Sequence, residues 1–532
     1  MPDRPWWRDA VVYQLYPRSF ADSDGDGVGD IRGVISRLDH LAWLGVDAIW
    51  LSPIHPSPNA DWGYDVADYL GVHPELGTLD DVDDLVREAG ERGMRVVLDL
   101  VPNHTSDAHP WFVDARSSRR ADHRDWYVWA DPKPDGSPPN NWVSTFGGPA
   151  WTLDDATGQY YLHNFLPQQP DLNWWNEEVR DAFDEILRFW FDRGIAGFRL
   201  DVCHMVVKDR ELRDNPPSTD DDHFTVQLRG QRPVYNADRP EVHDVLRRWR
   251  TVGETYDPPR MFLGEVYLFD LDRVAQFFGA PGQEELSLAF NFSFLFTPFE
   301  AAAMRDVVES TEAAVPIHAW PTWTGSNHDA SRFPTRWAQG DAARMRCALM
   351  MLLTLRGTPV LYYGDEIGMQ DTPLERDDVL DPVGVRFWPL AGRDPERTPM
   401  HWSGDPGAGF TKAGVTPWLP LGDHAACNVE AQRSDPGSML HLCRDLIAIR
   451  QASDDLRAGD YATLPTPDGV WGYRRGSGMT VLLNLSDDAH SEATVSGIEG
   501  VVRIGTRRER DGEAVVGSIS LHSGEGVVVE RA

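Results

Sequence analysis

A few short stretches of the chain carry acidic side chains where covalent chemistry could be done. Gly197-Phe198-Arg199-Leu200-Asp201, preceded by Ile195, is an apolar run of the kind that forms a buried parallel strand. Arg199 and Asp201 stand two residues apart, so on a strand they point to the same side. A buried carboxylate beside an arginine is expected to stay ionised, because the cation offsets desolvation. An ionised, fixed carboxylate at the end of an inner strand is what glycosyl transfer requires of a nucleophile. An isolated Arg-x-Asp is more often a structural ion pair, so the reading depends on its company.

That company is acidic and follows apolar runs. Glu265 ends Met261-Phe262-Leu263-Gly264, and a carboxyl delivered by an apolar strand can hold a proton near neutrality, which suits a general acid. Glu254 is a weaker competitor, because its neighbours Arg248, Arg250, Pro258 and Pro259 read as a helix end and a loop. Asn327-His328-Asp329 follows another apolar run, and Asp61-Trp-Gly-Tyr64-Asp65 and Asp99-Leu-Val-Pro-Asn103-His104 follow two more. Each alone is a turn or a hydrogen-bonded core residue. Asp201, Glu265 and Asp329 at the ends of three strands would converge on one mouth.

Asp22-Ser-Asp24-Gly-Asp26-Gly-Val28-Gly-Asp30 alternates oxygen donors with glycines. The pattern suits a hard divalent cation, Ca²⁺ or Mg²⁺, bound by Asp22, Asp24, Asp26, Asp30 and the Val28 carbonyl. It lacks the distal Glu of an EF-hand, and the ion is expected to be structural. No organic cofactor is indicated.

The elements that must position these groups alternate between short apolar runs and amphipathic stretches. Strands are predicted over 11–17, 46–53, 95–101, 195–202, 261–267, 286–294, 320–326 and 358–363, with helices such as 78–92, 177–193, 240–250 and 341–355 between them. Eight such units predict a (β/α)₈ TIM barrel with its chemistry at the carboxyl ends of the strands. The catalytic barrel is assigned to 1–104 and 174–455, with a loop-rich insertion over about 367–436. The span 105–173 is too long for a loop and reads as a subdomain inserted after strand three. From 456 to 532 short β-type runs punctuated by turns predict a C-terminal antiparallel β-sandwich.

Composition bounds the partners. A formal net charge of −34 argues against nucleic acid and anionic membrane surfaces and fits a neutral small substrate. The 21 tryptophans suit a large core and lean weakly toward sugar rings. Cys203, Cys347, Cys427 and Cys443 are scattered, with no CxxC spacing, and are expected to be free thiols. With no apolar leader or membrane-length segment in view, the expectation is a cytoplasmic monomer or homodimer.

Together, residues 99–104, 197–201, Glu265 and 327–329 resemble the four signature regions of the α-amylase superfamily of retaining glycoside hydrolases (glycoside hydrolase family 13). Gln169-Pro-Asp-Leu-Asn173 and Gly392-Arg-Asp-Pro-Glu-Arg397-Thr-Pro-Met-His-Trp402 resemble segments of its oligo-1,6-glucosidase and α-glucosidase subgroup. The resemblance implies Asp201 as nucleophile, Glu265 as acid/base and Asp329 as transition-state stabiliser, with Arg199 orienting the nucleophile. It further implies a glucose site of Asp61, Tyr64, His104, Phe165, His328 and Arg397. Val202, following the nucleophile, leans the linkage preference to α-1,6 over α-1,4. The expected activity is exo-acting release of α-glucose from short α-glucosides. A transferring or isomerising enzyme of trehalose synthase or sucrose isomerase type is the rival, although the RLDRD-type loop of sucrose isomerases is not found. A non-catalytic scaffold of the amylase fold is remote, since all three carboxylates are kept.

Overall fold

The computed structural model describes residues 4–487 and 491–531. Eight short apolar runs form the central sheet. They are β1 Val12–Leu15, β2 Ala48–Leu51, β3 Arg95–Leu100, β4 Gly197–Leu200, β5 Met261–Gly264, β6 Leu288–Ala289, β7 Thr322–Thr324 and β8 Thr358–Tyr362. The order is β6-β5-β4-β3-β2-β1-β8-β7, with every neighbouring pair parallel. The two ends of that order, β6 and β7, are consecutive in the chain, so the sheet wraps into a barrel. Alternate residues along a strand serve two cores. Val12, Ala48, Trp50, Val97, Met261 and Leu263 fill the interior, while Val11, Tyr13, Ile49, Val96, Leu98 and Phe198 join the layer under the helices.

The covering helices include α1 Leu79–Glu91, α2 Glu177–Asp192, α3 Val242–Glu254, α4 Ala301–Ala314, α5 Ala342–Thr354 and α6 Met439–Ala452. Their starts are chemically specified. Thr78 and Asp81 form a capping box at α1, and the Asn176 side chain accepts from Glu178 N–H at α2. In α2, Val179, Phe183, Ile186, Leu187 and Trp190 recur at helical spacing and are buried.

After β3 the chain leaves the barrel. Trp129–Ala130, Trp151–Asp154 and Gln159–Leu162 form a three-stranded antiparallel sheet over a small core that includes Trp142 and Trp151. A bridge between His104 and Asp171 ties the two ends of this excursion together beside the barrel mouth. After β8, residues 367–436 run mostly as loops and short helices. The C-terminal region is all antiparallel: its six strands hydrogen-bond continuously and bend at bulges in Glu492–Gly505. One face of this layer encloses Val470, Leu482, Val502, Ile519 and Val527, and the other sends Trp471, Tyr473 and Val528 into the barrel core. No helix among the described residues is long and apolar enough to cross a membrane.

Two local expectations change. The run 286–294 is a strand only at Leu288–Ala289, because the Asn291 side chain accepts from Phe294 N–H and starts the helix Phe292–Phe296. Between β4 and α3, residues 203–241 make a second excursion, with a short helix Phe224–Arg229, that hydrophobic patterning does not announce.

Candidate active site

Two neighbouring strands deliver two carboxyl groups side by side. Asp201 directly follows β4, and its N–H donates to Leu100 O at 2.8 Å; Glu265 directly follows β5, and its N–H donates to Leu200 O at 2.9 Å. Arg199 joins them. Its Nη1 donates to Asp201 Oδ1 at 2.8 Å and to Asp99 Oδ1 at 2.9 Å, and its Nη2 donates to Glu265 Oε2 at 2.5 Å. Val202 does not continue the strand. It turns into the left-handed region at φ 32°, ψ 42°, unusual for a β-branched residue, and its N–H donates to Glu265 Oε2 at 3.0 Å.

The expectation that Arg199 simply keeps Asp201 ionised needs correcting, because one guanidinium is divided among three carboxylates. Burial pushes Asp201 well above its usual range; Arg199 offsets part of this, and Glu265, Asp99 and Asp329 add to it. Asp99 is raised to about 6 by burial against the pull of Arg199. Asp201 and Asp99 therefore take up a proton more readily than an isolated carboxylate would.

Asp329 lies in the loop after β7 and is held differently. Burial favours its neutral form, but His328 Nε2 at 3.0 Å, Arg393 Nη1 at 3.2 Å and Arg397 Nη2 at 2.7 Å reverse this and keep the carboxyl well below its ordinary range. His328 is itself driven to about 4 by burial, so the standing positive charge comes from the two arginines. The His328 ring stacks on Tyr64 at 5.3 Å between centroids, and Gln14 Nε2 lies 2.8 Å from its Nδ1. Tyr64 donates to Asp99 Oδ2 at 3.0 Å, which links this side to the Arg199 cluster.

A cavity of about 540 Å³ opens at the carboxyl ends of the strands. Asp201, Glu265 and Asp329 all line it, as do Asp61, Tyr64, His104 and Phe165. Arg199, His328 and Arg397 stand behind the wall and hold the residues that line it. Glu254 is excluded: it is exposed at the end of α3 and paired with Arg250 at 2.7 Å.

Two further residues belong to the site. Arg393 lines the cavity and bridges Asp61 at 2.6 Å, Asp381 at 2.6 Å and Asp329 at 3.2 Å. Gln169 Nε2 donates to Asp61 Oδ2 at 3.1 Å and lies 3.1 Å from His104 Nε2. Both fall inside the subgroup-like segments at 169–173 and 392–402, which was the available signal; their partners lie 332 and 108 residues away in sequence.

The acidic loop after β1 brings carboxylate oxygens of Asp22, Asp24 and Asp30 within 4.8 Å of one another. Asp26 lies outside this group, and its Oδ1 accepts from Val28 N–H at 2.7 Å. Lys412 Nζ donates to the Asp24 carbonyl at 2.6 Å, so a cation from the post-β8 region already leans on the loop. None of these residues lines the cavity.

A parallel barrel that gathers acids at the carboxyl ends of its strands around a sugar-sized hollow defines a class of barrel hydrolases. The chain belongs to the alpha-amylase family and is a glycoside hydrolase: residues 14–459 match the family model of the alpha amylase catalytic domain. It is 44% identical to a probable alpha-glucosidase of Rhizobium meliloti (strain 1021), over 92% of this chain and 91% of that protein. It is 37% identical to an oligo-1,6-glucosidase of Heyndrickxia coagulans, over 91% of this chain and 93% of that one. Among solved structures, an alpha-glucosyl transfer enzyme, XgtA, superposes with a TM-score of 0.91 at 40% identity, covering 100% of both chains.

Proposed function

We propose that the protein is a retaining, exo-acting α-glucosidase that releases α-glucose from the non-reducing end of short α-glucosides. The observation that carries this is the single Arg199 fork holding Asp201 and Glu265 on adjacent strands, with Asp329 facing the same cavity. Two carboxylates on the two ends of one guanidinium are compatible with the spacing of roughly 5–5.5 Å of a retaining pair. Glu265 protonates the glycosidic oxygen while Asp201 attacks the anomeric carbon and forms a β-glucosyl enzyme. Water, deprotonated by Glu265, then attacks the same carbon and releases α-glucose. Asp329, ionised beside two arginines, grips the sugar hydroxyls most tightly as the ring flattens. Asp61, Tyr64, His104 and Phe165 form the glucose site, His328 holds Tyr64 and Asp329 from behind it, and Arg393 and Arg397 brace its acids. Arg393 and Asp61, paired at 2.6 Å, both line the cavity, an arrangement that supports attack at a chain terminus.

Val202 supports a preference for α-1,6 over α-1,4 links. Initial rates on isomaltose and maltose test it: the wild type favours isomaltose, and Val202→Thr shifts the ratio toward maltose. An unchanged ratio removes the linkage assignment.

A second reading, glucosyl transfer, is favoured by the likeness to the alpha-glucosyl transfer enzyme XgtA. Product analysis from maltose and sucrose decides between them. Glucose as the main product supports hydrolysis, and a new disaccharide as the main product overturns it.

Asp22, Asp24 and Asp30 offer an all-oxygen set suited to a structural Ca²⁺ or Mg²⁺. Chelation with EDTA is expected to lower Tm by several degrees, with recovery on adding Ca²⁺ or Mg²⁺. A Tm indifferent to EDTA would leave Lys412 as the cation of this loop. The four cysteines are free, which supports a cytoplasmic, reducing setting.

A further inference from the structure

Past the glucose end, the cavity has a wall that the chemistry above leaves unused. Glu265 stands on the leaving-group side of the bond it protonates, and the chain running on from it through Tyr267 and Phe269 continues that side. Facing it is the excursion between β4 and α3, where His223 stacks on Phe269 at 3.6 Å between ring centroids. Arg229, Arg232 and Arg273 reach this wall from the two segments.

Two of these cations are matched and one is not. Arg232 Nε pairs with Asp222 Oδ1 at 3.1 Å, and Arg273 pairs with Asp238. Asp270, the remaining acid here, is engaged as the cap of Leu271–Gln276, accepting from Asp272 and Arg273 N–H. Arg229 is half-buried and has no ion pair among the described residues. Burial lowers its pKa, and among the described residues only Tyr267 opposes this. His204, close to both Arg229 and Arg273, is driven to about 4 by burial and so is neutral. In a chain with 84 acidic and 50 basic residues, a desolvated guanidinium left without a carboxylate is conspicuous.

We propose that Arg229, flanked by Arg232 and Arg273, binds an anionic group, a phosphate or a carboxylate, carried on the leaving group of the α-glucoside. The inference rests on the glucosidase reading above and names its leaving-group class. A guanidinium presents a planar fork of donors that matches either anion with two parallel hydrogen bonds. The site lies beyond Glu265, so the anion is separated from the Asp201–Glu265 acids by the sugar ring that carries it. Arg232 and Arg273, each balanced by its own aspartate, leave Arg229 as the net positive charge of this wall.

The test compares kcat/KM within two matched pairs: trehalose against trehalose 6-phosphate, and 4-nitrophenyl against 4-carboxyphenyl α-glucoside. The first pair probes phosphate and the second carboxylate. Wild-type enzyme is expected to prefer the anionic member of at least one pair by about tenfold at low salt, and Arg229→Met to lose that preference. A melting curve of the variant reports its folding. Independently of any variant, the wild-type preference should shrink in about 0.5 M NaCl, because screening weakens a partly exposed ionic contact. Preference for the neutral member in both pairs, or a preference that survives in Arg229→Met, overturns the assignment. Turnover of no member of either pair overturns the glucosidase reading itself, a result distinct from turnover of the neutral members alone.

Discussion

Asp201 and Glu265 share a cation, yet their proposed tasks separate them experimentally. Asp201→Asn removes the nucleophile and should reduce kcat by more than about 10⁴-fold on every α-glucoside. Glu265→Gln removes the proton donor, so its cost depends on the leaving group. Read as kcat/KM, which reports the first step alone, the loss on α-glucosyl fluoride, whose leaving group needs no proton, should be at least about 10²-fold smaller than the loss on isomaltose, while hydrolysis of the shared glucosyl enzyme slows for both. Equal losses on both substrates would reverse or dissolve the assignment. At this scale the sequence was readable where a residue's position follows from its own strand: Asp201, Glu265 and Asp329 all meet at the cavity. It was unreadable where the role depends on a partner brought in by folding. Arg393 is one arginine among many until its bridge to Asp61 and Asp329 exists. The state of Asp201 was misjudged for the same reason, because Asp99 and Glu265 compete for Arg199 from adjacent strands.

The pairing of β4 with β5 sets the relative height of the two acids, and its end is tightly packed. Gly264 immediately precedes Glu265, and a Cβ there would overlap Leu286 Cδ1 and come within 3.0 Å of Cys203 Sγ. Gly264→Ala should therefore cost about 1–3 kcal/mol of stability and displace Glu265, lowering kcat more than it raises KM. Gly90, inside α1 with nothing within 4 Å of its missing Cβ, is the contrasting site. Gly90→Ala should raise stability by up to about 1 kcal/mol and leave kcat alone. If thermal melts and rates gave both variants the same profile, this packing account would fail. The elements themselves were legible where apolar period and caps agree, as in α2, where Asn176 and the buried stripe coincide. They were misread where a single polar residue overrides the pattern. Asn291 converts an alternating run into a helix start, and Val202 leaves the strand to aim its N–H at Glu265.

Two opposed sets of buried groups tie the stability of the whole molecule to pH. His55, His104, His204, His328 and His401 are driven to about 4 by burial, and His109 to about 3. In the unfolded chain they take protons near pH 6.5, so on acidification below that value the unfolded state binds protons that the folded state refuses, and stability is lost down to about pH 4. Buried acids act the other way, among them Asp201 and Glu396, both pushed well above the usual carboxylate range by burial. Asp65 and Asp99 are raised to about 6 and Asp365 to about 7, all chiefly by burial. Unfolded, they ionise near pH 3.9, so their contribution is fullest below that value and is lost as pH rises through 6 to 7. Between about pH 4 and 6.5 the six histidines outnumber these five strongly raised acids, and Tm should climb. Above that range the histidines add nothing more, while Asp365 must still ionise and the net charge of −34 repels itself. Tm should then fall toward pH 9. Salt discriminates the two limbs: about 0.5 M NaCl should reduce the part of the alkaline decline that is long-range repulsion and leave the acid limb, which is burial, nearly unchanged. Calorimetric melts from pH 4.5 to 9 at low and high salt measure both, and a Tm that rises steadily to pH 9 at low salt would contradict the balance of groups described.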